Sequence, residues 1–98
     1  MPAAAQSVPD EALARDARAG DLAAFEKLVS RYEKRIFGFL YRRSNCVETA
    51  EDLTQETFVK AWRGLMRYDE RRRFAPWLFT IGRRVAASHF RKRREPAA

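Results

Sequence analysis

The chain has 98 residues, a net charge of +7, one cysteine and one histidine. That supports one small domain with one core, and it excludes an internal disulfide and a structural zinc site made from cysteine and histidine. Met1 to Pro9 lacks the basic start and apolar run of a signal peptide, and no apolar stretch approaches the ~20 residues that span a bilayer, so a cytoplasmic protein without membrane insertion is expected.

Met1 to Pro9 is small, polar and proline-bearing, and is expected to be disordered. Asp10 is a natural N-cap for a short helix over Glu11 to Ala19, with Gly20 as its stop and Asp21 as the next start. A second helix is expected from Leu22 to Arg43, because Leu22, Phe25, Leu28, Val29, Tyr32, Ile36, Phe39, Leu40 and Arg43 recur at three- and four-residue steps. Gly38 interrupts it at a cost of about 1 kcal/mol relative to alanine, which predicts another backbone passing close. Ser44 to Glu48 breaks the pattern, and Thr49 with Asp52 makes an S/T-x-x-D/E capping signal.

The third helix, roughly Ala50 to Arg67, is expected to bury Leu53, Thr57, Phe58, Ala61, Trp62 and Leu65. A loop follows to Arg73. Pro76 is tolerated only in a first helical turn, so the fourth helix starts at about Phe74 or Ala75 and runs to Arg93. Its inner stripe is Phe74, Leu78, Ile81, Val85 and His89; its outer face reads Trp77, Thr80, Arg84, Ala87, Arg91 and Arg94. No alternating strand pattern appears, so the class is all-α: a compact bundle of three main helices over residues 10–94, with a short leading one.

The charge is segregated. Residues 1–66 hold ten basic and ten acidic side chains, so the whole excess lies in residues 67–98. There Arg67, Arg71, Arg72, Arg73, Arg83, Arg84 and Arg91 are interleaved with Tyr68, Phe74 and Trp77. Arginines neutralise phosphates without reading sequence, and an aromatic ring offers a platform for an unstacked base worth about 1–3 kcal/mol. Arginine mixed with aromatics suits single-stranded or opened DNA better than an intact duplex. The bland readings are that Phe74 and Trp77 pack the core and that Arg91 to Arg94 end a solvated helix. Asp52, Gln55 and Glu56 make an acid and amide edge on the third helix. Such an edge repels DNA and suits a basic protein surface; the bland reading is an ordinary solvated face.

No catalytic set can be assembled, so no enzyme activity and no cofactor are expected. A lone His89 on an inner face is a packed residue rather than a ligand. Asp52 and Glu56 lie one turn apart, but no further ligand converges on them to hold a metal.

The string AEDLTQETFVKAW, followed by RYDERRRFAPWLFTIGRRVAASHFRKR, resembles region 2 of bacterial sigma factors, and within them the small extracytoplasmic-function group. The most specific parts are D-L-x-Q-E-x-F at Asp52 to Phe58 and F-x-x-W-L-x-x-I at Phe74 to Ile81. The resemblance implies a transcription-initiation domain that performs no chemistry itself. It implies docking on the clamp helices of core RNA polymerase through Asp52, Gln55 and Glu56, with Phe58 and Trp62 beside them. It implies opening of the minus-ten promoter element and capture of non-template bases by Tyr68, Phe74, Trp77 and nearby arginines, and masking of these surfaces by an anti-sigma protein. Two positions depart from the family: Arg84 stands where asparagine is common, and Ser88 where an acid is common. Arg84 has only donors and accepts nothing from a base. Full-length members carry a second helical domain that reads the minus-thirty-five element; nothing here corresponds to it, and 95–98 reads as the start of a linker or tail, so a domain excerpt is expected. Two rival readings are a double-stranded DNA-binding regulator that needs no polymerase and a protein-interaction module.

Overall fold

A computed structural model describes residues 8–94. The expectations for Met1 to Ser7 and for residues 95–98 lie outside these. Among the described residues the secondary structure is helical throughout: α1 (Asp10–Arg18), α2 (Leu22–Ser44), α3 (Val47–Gly64) with a 3-10 turn at Leu65–Arg67, and α4 (Phe74–Arg94). The class is all-α, as the periodicity requires.

Asp10 is not a cap. It is the first residue of α1, and its carboxylate accepts hydrogen bonds from Arg31, at 2.7 Å, and from the Tyr32 hydroxyl, tying α1 to α2. Gly20 takes a φ of 110°, a left-handed value that penalises any side chain, and so turns the chain out of α1. Asp21 caps α2 as expected, accepting from the Ala24 N–H at 3.2 Å.

The Thr49 capping signal is overridden. Asn45 adopts a left-handed φ of 52°, Cys46 is extended, and α3 begins at Val47. Asparagine tolerates that conformation, so the link between α2 and α3 closes sooner and Thr49 falls inside the helix. Nor does another backbone approach Gly38, where an added Cβ would meet only Arg42 of its own helix, at 3.7 Å. The three long helices converge instead at Gly82, where an added Cβ would stand 3.7 Å from Thr57 and 3.8 Å from Ile36. Thr57 is fully buried there, and its hydroxyl is satisfied by donating to the Leu53 carbonyl at 2.7 Å.

Leu28, Ile36 and Leu40 of α2, Leu53 and Ala61 of α3, and Phe74, Leu78 and Val85 of α4 make the centre of the core. Burying a side chain of this size contributes about 1.5–3 kcal/mol. Three residues placed on the inner stripes face outward: Leu22 is 56% exposed, Trp62 is 39% exposed, and Arg43 is exposed as well. Leu22 and Trp62 sit on one groove, described next.

Candidate protein and nucleic-acid interfaces

The face of α3 that carries Asp52 and Gln55 forms one wall of an open groove of about 920 Å³; α2 forms the other wall. Its lining is mainly apolar. Phe25 and Trp62 meet edge to face with centroids 5.0 Å apart, and Leu22, Val29, Phe37 and Val59 extend the surface. Asp52, Gln55 and Glu51 stand exposed along the rim, and Asp52 and Glu51 have no ion pair among the described residues. Phe58 is only 8% exposed, so it offers the groove an edge and gives most of its ring to the core. Periodicity assigned Leu22, Phe25 and Val29 of the α2 wall to the core stripe. The signal that distinguishes it is Leu22, an apolar residue in the first turn of a helix with little above it to cover it.

Glu56 does not share that groove. It lines a second one of about 500 Å³, on the other side of α3, with Gly64, Arg67, Trp77, Arg84 and Lys92. There it lies 3.9 Å from Lys60. The acid edge read as one unit is therefore split: four residues carry the helix about 40° past a full turn, so Glu56 stands further around α3 than Asp52 and falls to the other groove.

Trp77 is the ring on view in the second groove. It is half-buried, resting on Tyr68 at a centroid distance of 4.9 Å and on Phe74 at 5.6 Å. Gly64 makes room for it: a Cβ there would come within 3.3 Å of the indole. Tyr68 and Phe74 do not offer the free faces that base capture, as the resemblance implies it, would need; for Phe74 the inner-stripe reading is the one observed. Phe74 is completely buried and Tyr68 is 3% exposed. Phe74 opens α4 with its ring turned inward onto Tyr32, Tyr68 and Trp77, so the two rings form the seat beneath the indole.

The loop between the 3-10 turn and α4 is fastened on all sides. Tyr68 donates from its hydroxyl to the Arg72 carbonyl. Burial, followed by the nearby Glu11 carboxylate, pushes that phenol up to about 12. Arg18 of α1 donates to the Tyr68 carbonyl at 2.7 Å and pairs with Glu70 at 3.4 Å. Glu11 of α1 accepts from the Phe74 N–H at 2.7 Å, satisfying one of the free donors at the start of α4. Asp69 accepts from the Arg71 side chain and backbone, and these bonds hold its carboxyl down to about 2. Arg71 is thus committed to closing the turn. The roles of Glu11 and Arg18 had no signal in the local sequence, since each partner lies at least 50 residues away.

Arg72, Arg73, Arg83, Arg84 and Arg91 are exposed, as is Arg67 on the groove wall, and none of the six has a carboxylate partner among the described residues. Thr80 stands beside them, its hydroxyl donated back to the Pro76 carbonyl at 2.8 Å. Ile81, Ser88 and Lys92 also line the second groove and were not foreseen. Among the described residues no set of three or more His, Cys, Asp or Glu side chains converges to hold a metal, and no helix is long and apolar enough to cross a membrane.

Comparison with known proteins places this geometry in context. The Sigma-70 region 2 model matches residues 28–95. The chain is 40% identical over 84 residues to the extracytoplasmic-function RNA polymerase sigma factor BldN of Streptomyces coelicolor, covering 84% of this chain and 31% of that protein. It is 31% identical over 80 residues to the sigma factor SigW of Bacillus subtilis, covering 82% and 43%. The chain therefore spans less than half the length of these relatives. The fold superposes with a TM-score of 0.81 on an engineered region 2 of sigmaE solved in complex with GTAAAA, at 30% identity over 92% of this chain and 90% of that one. CnrH, solved in complex with the cytosolic domain of CnrY, superposes with a TM-score of 0.77 at 33% identity, over 81% of this chain and 51% of that one.

Proposed function

Because the chain belongs to the Sigma-70 region 2 family, we propose that residues 10–94 are the part of an extracytoplasmic-function sigma factor that joins core RNA polymerase to opened promoter DNA. The observation that carries this reading is the pair of unlike grooves on opposite sides of α3. One is apolar with an acid and amide rim at Asp52 and Gln55; the other is cationic with the Trp77 ring half exposed.

In this reading the first groove takes the clamp helices of the polymerase. Trp62 and Val59 bury apolar surface on docking, while Asp52 and Gln55 supply charge-assisted and neutral hydrogen bonds that set orientation. The second groove takes the non-template strand of the minus-ten element. A base displaced from the duplex lies against Trp77, offsetting part of an unstacking cost of a few kcal/mol. Arg67, Arg72, Arg73, Arg84 and Arg91 neutralise the phosphates on either side of it. Arg84 carries donors only, so where it meets a base edge in place of a phosphate it favours acceptor edges such as those of guanine over what asparagine would prefer. The domain makes and breaks no covalent bond. It works in the cytoplasm, and an anti-sigma protein restrains it by covering these faces; a protein partner is in keeping with CnrH, which superposes on this chain and was solved in complex with the cytosolic domain of CnrY.

The test is capture of the chain on core polymerase, with and without a promoter fragment carrying a pre-opened bubble. Retention that rises with the bubble is the expected result. DNA binding with no association with polymerase would instead assign a stand-alone DNA-binding domain.

A further inference from the structure

The second groove holds more positive charge than strand capture uses. Lys60 of α3 and Arg67 of the 3-10 turn line it from one side, and Arg84 and Lys92 of α4 from the other. All four are exposed. Among the described lining residues Glu56 alone opposes them, 3.9 Å from Lys60, in a pair whose side chains are 50% and 53% exposed. An ion pair so open to water neutralises little. Four cations against one carboxylate leave a surplus of three charges around about 500 Å³. Strand capture as described above engages Arg67 and Arg84 and leaves Lys60 and Lys92 without a task.

Volume, ring and charge together select an occupant. The volume falls within the range of about 300–1,000 Å³ in which small ligands are held. The Trp77 ring is half-buried and backed by Tyr68 at 4.9 Å and Phe74 at 5.6 Å, so it is a fixed platform for one planar base. The charge surplus then decides. A strand brings roughly one phosphate charge with each base, too few for cations on both walls beside a single ring. A nucleoside triphosphate brings a chain of phosphates behind one base, and matches both the ring and the surplus.

We propose that the second groove is also a binding site for a nucleoside triphosphate. Its base lies on Trp77, and its phosphates lie between Lys60 and Arg67 on one wall and Arg84 and Lys92 on the other. A bound nucleotide excludes the promoter strand, so capture falls as free nucleotide rises. The exclusion rests on the reading of this groove as the seat of the strand; the nucleotide site rests on the lining alone. Binding is reversible, and no covalent bond is made or broken.

The test uses the full chain carrying Trp62→Phe, which leaves Trp77 as its one tryptophan. GTP, guanosine and inorganic triphosphate are the probes, in magnesium-free buffer. GTP is expected to quench Trp77 emission saturably, at concentrations about tenfold or more below those that guanosine requires. It is also expected to displace a labelled single-stranded minus-ten oligonucleotide at about a tenth of the concentration of inorganic triphosphate, which lacks a base to stack. Adding Lys60→Gln/Lys92→Gln is expected to weaken GTP about tenfold and the oligonucleotide no more than about threefold, with matching thermal melts. Equal displacement by GTP and inorganic triphosphate would reduce the effect to screening and overturn the proposal. So would the absence of quenching by GTP, an oligonucleotide that saturating GTP does not displace, or a loss in the lysine variant as large for the oligonucleotide as for GTP. Quenching by GTP in a chain that binds no oligonucleotide would instead strike the reading of the groove as the seat of the strand, and leave the nucleotide site standing.

Discussion

The carboxylate of Glu11 accepts a hydrogen bond from the backbone N–H of Phe74 at 2.7 Å, across 63 residues of sequence. The leading helix thereby holds the first turn of α4, three residues before the ring proposed to receive a base. Removing the acceptor leaves a part-buried donor unpaired. Glu11→Ala is expected to cost about 1–2 kcal/mol in urea unfolding and to weaken single-strand binding, whereas Glu11→Gln, which keeps an oxygen, retains most of both.

The buried and half-buried rings separate by experiment. Phe74→Ala opens a cavity in the core and is expected to cost about 3–5 kcal/mol of stability. Trp77→Ala is expected to unfold at a higher urea concentration than Phe74→Ala, yet to lose about 1–3 kcal/mol of single-strand affinity in fluorescence anisotropy.

Gly64 is the contact that admits the indole. An added methyl would press on it at 3.3 Å from one side while Tyr68 backs it on the other. Gly64→Ala in a Trp62→Phe background is expected to shift the emission of the remaining Trp77 and to reduce strand capture, with helicity by circular dichroism unchanged.

Stability should fall at high pH. The Tyr68 phenol is held at about 12 against an ordinary 10.0, first by burial. Its contribution is complete below pH 10.0, where both states keep the proton, and is lost as pH rises toward about 12, because the unfolded chain ionises first. Tyr68→Phe should flatten the decline of melting temperature across that window. Tyr32, raised by burial and then by its bond to Asp10, contributes in the same direction and leaves a residual slope.

Asp52 and Glu56 were read together as one edge, and the structure assigns them to different grooves. Asp52→Lys is expected to abolish retention on core polymerase and leave single-strand binding intact. Glu56→Lys removes the only carboxylate among the described residues that line the cationic groove and is expected to tighten DNA binding about two- to tenfold at low salt, with the gain vanishing as salt rises.

The helices were legible because each buries a stripe with a clear period; Leu28, Ile36 and Leu40 sit where three- and four-residue steps put them. The start of α3 was not, because a capping signal at Thr49 competes with the left-handed Asn45 and loses to a shorter link. The clustering of arginine with aromatic residues was visible in the sequence, and periodicity set Phe74 on the inner stripe of α4 and Trp77 on its outer face, as the burial has them. The depth of Tyr68 was not legible, because it lies in a loop with no period to read. Nor does any local pattern reveal Glu11 or Arg18, whose partners are set by how α1 crosses the bundle.

Helix α3 is a shared partition. Its 18 residues are packed on α4 through a wholly buried Thr57, without a glycine or proline until Gly64 closes it. A wall so stiff gives little when pressed from either side, so on the proposed reading any coupling between the two grooves would pass as a field across the helix, not by its bending. Asp52 on one side and the Glu56–Lys60 pair on the other are the charges between which such a field would run, and dissolved ions would mute it.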